Sequence, residues 1–194
     1  MDQYLDDFVP CLHQILSDET LDRKIKLPAL HALGELCLNC GVQFNQKYLD
    51  KTLTMMNLAG RASIQTTQYV NDAETLEFLK ELREAIIDQY IIILMSAEDT
   101  NCLDQFGMYL ETIFDFLEST ARIEDVSRTN TIRLILSLVG DLAKAFPTHR
   151  GVKQRATMPY IEQGILMLQQ LPDVESKQQA NYTLEAVKAM TAED

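Results

Sequence analysis

Five carboxylates, Glu74, Glu77, Glu81, Glu84 and Asp88, follow one another at spacings of three, four, three and four. On an α-helix, at about 100° per residue, they fall in one stripe about 80° wide. Lys80 and Arg83 are the only bases nearby to soften the repulsion between them. Such a row has the chemistry to hold a basic ligand, and it is also what a solvated helix face looks like. Both readings stay open at this point. Catalytic chemistry has no comparable foothold. The histidines, His13, His31 and His149, lie in no nucleophile or metal-ligand spacing, and there is no glycine-rich phosphate loop. Cys37-Leu-Asn-Cys40 is a lone CxxC without a second pair, so buried thiols acting as small hydrophobes are expected rather than zinc or a redox couple. No enzyme activity, cofactor or metal is expected.

The charge around the stripe narrows the partner. The chain has 194 residues with a formal charge of −12, and nearly all the excess acid sits in its middle third. Residues 1–60 sum to −3, residues 61–125 to −10 and residues 126–194 to +1. That field repels nucleic acid and anionic membrane surfaces and favours basic protein segments. The longest uninterrupted apolar run is the six residues from Tyr90 to Met95, far short of the roughly 20 of a membrane span. The acidic start, Met1 to Asp7, is unlike a secretory signal, and four cysteines do not make a disulfide scaffold. A soluble, reduced, intracellular protein is expected.

The elements that must position the stripe are helices. Apolar residues recur at spacings of three and four almost throughout, and no segment alternates like a strand. Helices are predicted over about 2–17, 22–39, 44–58, 72–97, 103–120, 125–146, 154–171 and 174–190. Asp22, Asp72 and Asp173 are the expected N-caps and Gly41 a helix end, with a kink or late start at Pro28. Residues 60–71 read as the longest loop, and with the basic 147–156 segment as the most mobile part of the chain. The methionines Met55, Met56, Met95, Met108, Met167 and Met190 read as core by default, with a sticky peptide groove as the alternative. Leu33-Gly34-Glu35-Leu36 and Val139-Gly140-Asp141-Leu142 occupy like positions, with Ile87-Asp88 midway and Leu184-Glu185 beyond. The fold class is therefore an all-α solenoid of about four antiparallel helix hairpins, with approximate repeats 1–42, 43–98, 99–147 and 148–194. Glycine inside a helix costs about 1 kcal/mol against alanine, so Gly34 and Gly140 are expected where helices approach closely.

Several of these segments resemble the carboxy-terminal HEAT repeats of the importin-β (karyopherin-β) family. They are Asp22-Arg23, Lys26, Pro28, Leu33-Gly34-Glu35, Gly41, Phe44, Tyr48-Leu49, Phe78-Leu79-Lys80-Glu81-Leu82-Arg83-Glu84 and the run from Val139 to Phe146. The family is several times longer, so the chain looks like a fragment holding its last four repeats. The resemblance implies nuclear protein import, shuttling between cytoplasm and nucleus, and a concave acidic face that binds the basic helix of the importin-α adaptor or a basic cargo. On that reading Glu74, Glu77, Glu81, Glu84 and Asp88 meet the ligand, and Glu35, Asp141 and Glu185 extend the field. Tyr182 stands where the family has a tryptophan and would stack on a ligand arginine. Nucleoporin phenylalanine-glycine repeats are a further partner, with Tyr4, Phe8 and Leu12 supplying at most one wall. Ran contacts are expected mostly outside this stretch. A generic HEAT scaffold of the phosphatase or coat type, with no preference for basic ligands, is the alternative.

Overall fold

Helical periodicity is realised almost end to end. The structure, a computed structural model, describes residues 2–18, 20–123 and 129–192. Among the described residues the elements are helices α1 (Asp2–Ser17), α2 (Lys26–Thr67), α3 (Ala73–Asp99), α4 (Leu103–Gly107), α5 (Leu110–Ile123), α6 (Thr129–Ala145), α7 (Arg150–Ala156), α8 (Pro159–Gln170) and α9 (Val174–Ala192), with no strand. The predicted start of the sixth helix, 125–128, lies outside the described residues. The chain forms two compact units, residues 1–109 and 110–194.

In the first unit, α1 buries Leu5, Val9 and His13 against α2 and leaves Tyr4 and Phe8 exposed. Asp22 caps a single 3-10 turn, Arg23–Ile25, and α2 begins just after it. Pro28 thus falls in the first turn, where its missing N–H costs nothing. Gly41 has φ +29°, a left-handed conformation open to glycine, and it bends α2 into arms 26–40 and 42–67. Asn45, wholly buried, braces the bend: its Nδ2 donates to Ser96 Oγ (3.0 Å) and Thr100 Oγ1 (2.8 Å) on α3. Cys37 donates to Asn45 Oδ1 in the same cluster, and burial pushes its thiol up to about 11. It is an inert core group, and no cluster of three or more His, Cys, Asp or Glu able to hold a metal occurs among the described residues.

One sequence expectation is overturned here. The predicted 60–71 loop is helical to Thr67. Its burial rests on small residues rather than on an apolar stripe: Gly60 and Ser63 are buried, and Ser63 Oγ donates to the Gly60 carbonyl (2.7 Å). Arg83 Nη1 then donates to Thr67 Oγ1 (3.0 Å), bringing a buried cation to the carboxyl end of α2, where the helix dipole favours it. Arg83 therefore belongs to the core rather than to the charge balance of the stripe. The basic 147–156 segment carries helix α7. His149 caps α7 by accepting from the Val152 N–H, and Arg155 pairs with Asp115 (2.7 Å) over the Phe114 ring.

The second unit pairs α6 with α9. Thr183 Oγ1 donates to the Leu136 carbonyl (2.8 Å), and Arg133 meets Glu175 at 3.2 Å. The predicted helix over 103–120 is two helices, α4 and α5, and that over 154–171 is α7 and α8, the latter opened by Pro159.

His13 gives this core a pH dependence. Its Nε2 shares a hydrogen bond with Thr52 Oγ1 (2.9 Å), its Nδ1 has no partner, and Tyr48 and Lys51 stand beside it. Burial first, then the Lys51 charge, pushes its pKa down to about 4 from 6.5. A histidine held neutral in the fold contributes stability that is complete above pH 6.5 and is lost as pH falls towards 4. Between pH 7.5 and 5.5 the loss is on the order of 1 kcal/mol. Urea unfolding should show this slope in the native chain and a flatter one in His13→Gln. Equal slopes would remove His13 from the account.

Candidate functional site

The five-acid stripe lies on α3, whose sequence fixes both its faces. Leu79, Ile86, Tyr90 and Ile93 are buried on one side, with Leu82 half-buried at the edge. Asp72 caps the helix by accepting from the Thr75 N–H (2.8 Å), and burial of the opposite apolar face turns the acids outward. Glu74, Glu77 and Glu81 are exposed, while Glu84 and Asp88 are half-buried. The five are not equivalent. Glu74 pairs with Arg23 (3.0 Å), and Glu77 with Lys80 (3.2 Å). Asp88 accepts from Gln89 Nε2 (3.2 Å).

The first arm of α2 runs alongside. Arg23 lies over the Phe78 ring and donates to Thr75 Oγ1 (2.7 Å). His31 Nδ1 shares a hydrogen bond with Gln89 Nε2 (3.2 Å). Between them Gly34 admits Gln89: a Cβ there would lie 1.8 Å from Gln89 Oε1. The expected close approach is real, and Glu35, the next residue of α2, is exposed. Three exposed carboxylates on α3, Glu74, Glu77 and Glu81, make a face that prefers a cation to an anion, and exposed Glu35 stands further along α2, near the level of Ile92.

The second unit builds a different site from the matching glycine. A Cβ on Gly140 would lie 2.6 Å from Tyr182 Cε1, so the tyrosine ring is laid directly on α6. Its hydroxyl donates to Asp141 Oδ1, and Lys144 Nζ stands 3.9 Å from the ring centre. Burial raises the Asp141 pKa against the opposing pull of the Tyr182 hydroxyl and Lys144. A cavity of about 280 Å³ opens beside the ring, lined by Lys144, Pro147, Tyr182, Glu185, Ala186 and Met190 among others. Of the three site residues expected in this unit, only Glu185 is a freely exposed acid. Asp141 is committed to Tyr182, and a ring expected to stack on a ligand arginine already carries Lys144. The signal for Lys144 was in the sequence, since it follows Gly140 by four residues and so shares its face.

Over residues 1–182 the chain matches the family model described as importin subunit beta-1-like, TPR repeats. It is 31% identical over 144 residues to importin subunit beta-1 of Schizosaccharomyces pombe, a match covering 74% of this chain and 16% of the relative. Among solved structures it is similar to Kap95p in a study of Kap95p binding to RanGDP, with TM-score 0.83, 24% identity and 98% of this chain against 22% of that one. It is also similar to a chain of the Kap95:Nup1 complex, with TM-score 0.79, 25% identity and the same coverage of each chain. The fold class is thus an all-α solenoid of HEAT type. The chain spans about a sixth of the length of its curated relative.

Proposed function

The chain belongs to the importin subunit beta-1-like family, and on that premise we propose that it is a non-catalytic segment of a nuclear transport receptor whose α2–α3 acidic face binds a basic helix. The ligand class is the basic segment of an importin-α adaptor, or a basic cargo, carried between cytoplasm and nucleus. The observation that supports this reading most is the row Glu74, Glu77 and Glu81, held outward by a capped helix whose other side is core. A basic helix laid along it would trade water for charge-assisted hydrogen bonds while leaving the rim solvated. Ran and Nup1 are named with Kap95 in its solved structures.

Titration of a labelled arginine-rich helix against the chain at rising salt tests the reading. Between about 50 and about 200 mM salt the affinity should fall at least tenfold, since contacts at an exposed rim are screened on this scale. A neutral helix of the same length should not bind. Equal affinity for both peptides would favour the generic HEAT scaffold instead.

A further inference from the structure

The solvent stripe of α3 changes chemistry after Asp88. Seven residues on, at the same angular position to within about 20°, stands Met95, with Ile91 and Ile92 between. Sequence periodicity places Met95 in the core, yet it is 52% exposed. The neighbouring arm of α2 does the same thing at the same level. Ser96 Oγ donates to the Cys37 carbonyl (3.1 Å), and Ile92 Cγ2 would stand 3.4 Å from a Cβ on Gly34. Leu38, the residue after Cys37, is 45% exposed. It shares an arc of about 60° with His31 and Glu35, the α2 residues that border the acids. Leu38, Ile92 and Met95 therefore flank one helix–helix seam, on the acidic side of it.

We infer that these three side chains form an apolar pad that seats one apolar residue of the same basic ligand, about 10 Å beyond the Asp88 end of the acid row. The inference rests on the proposed acidic-face reading and adds a rule of order to it: positive charge along the row that opens with exposed Glu74, Glu77 and Glu81, then an apolar anchor past Asp88. Three side chains are too few to hold a folded partner, which needs about 800 Å² on each side. The pad works only as a continuation of the charged row. A second copy of this chain would bring its own −12 charge and its own acids to the face and be repelled. Methionine suits the task, since its unbranched side chain fits anchors of different shape.

Three helical peptides with one shared basic run test the rule on the full chain. One carries leucine about seven residues beyond the amino end of the run, one carries it beyond the carboxyl end, and the third has serine at both places. One leucine peptide should bind about tenfold tighter than the serine peptide, and the gain should persist at high salt. Leu38→Ser with Met95→Ser should abolish that gain and leave the serine peptide's affinity unchanged, with the thermal midpoint as the check on folding. Equal binding of all three peptides, or a gain that survives in the double variant, overturns the pad and leaves the acidic face standing. Failure of every peptide to bind overturns the acidic face, and the pad with it. Concentration-dependent self-association that the serine variant loses would give the pad to a second copy and likewise overturn the inference.

Discussion

Replacing Glu77 and Glu81 together by lysine is expected to weaken binding of a basic helix ten- to a hundredfold, about 1.4–2.7 kcal/mol. Both side chains are exposed on the outward face of α3. Among the described residues the ion pair broken is Glu77–Lys80, a contact between residues three apart, worth a few tenths of a kcal/mol. Stability should therefore hardly move. Glu84, an equal member of the stripe by spacing, is a poorer choice. It is half-buried and engaged within the fold, so its replacement would mix a folding cost with a binding one. Glu98→Lys is the control, an exposed acid on α3 about 15 Å beyond Asp88. Isothermal titration of the three chains with one basic peptide decides the matter. Equal losses from control and double variant would mean that net charge drives binding. No loss from the double variant would make the stripe an ordinary solvated face.

How far the sequence reaches is visible at particular residues. Caps are local, so Asp72 and Asp173 could be read directly, and both accept the backbone N–H three residues on. The periodicity of α3 is long and strong enough to assign its core and its acids. The 60–71 segment defeated the same method because its buried residues are Gly60 and Ser63, small and polar, packed by close approach and a hydrogen bond rather than by an apolar stripe. Arg83 and Met95 exchanged places for a related reason. A charge reads as surface and a methionine as core, yet Arg83 is buried at the end of α2 and Met95 faces solvent. Their fates depend on neighbours far away in sequence. Tyr182 is a mixed case: Lys144 shares the face of Gly140 by spacing, but that the Tyr182 ring lies under it is tertiary.

Gly140 carries the last and most local of these tertiary effects. In the native chain Gly140→Ala should cost about 1–3 kcal/mol, because the new methyl would meet the Tyr182 ring at 2.6–2.9 Å with Thr183 Cα only 3.4 Å away. The ring has little freedom to withdraw. Its hydroxyl is tied to Asp141 and Lys144 lies over its face. Tyr182→Ala should destabilise on its own account, removing an aromatic ring from the α6–α9 contact and leaving a half-buried carboxylate without its donor. With the ring gone, however, the obstacle at position 140 is gone too, and alanine regains its helical advantage of up to about 1 kcal/mol over glycine. The sign of the Gly140→Ala effect should therefore reverse between the two backgrounds, a coupling of about 2 kcal/mol or more in a double-mutant cycle measured by urea unfolding. Additive effects would show that α6 and α9 slide apart at no cost, and that the glycine does not fix the ring. A reversal would show that the groove formed by Tyr182, Lys144, Glu185 and Met190 owes its shape to one missing methyl group.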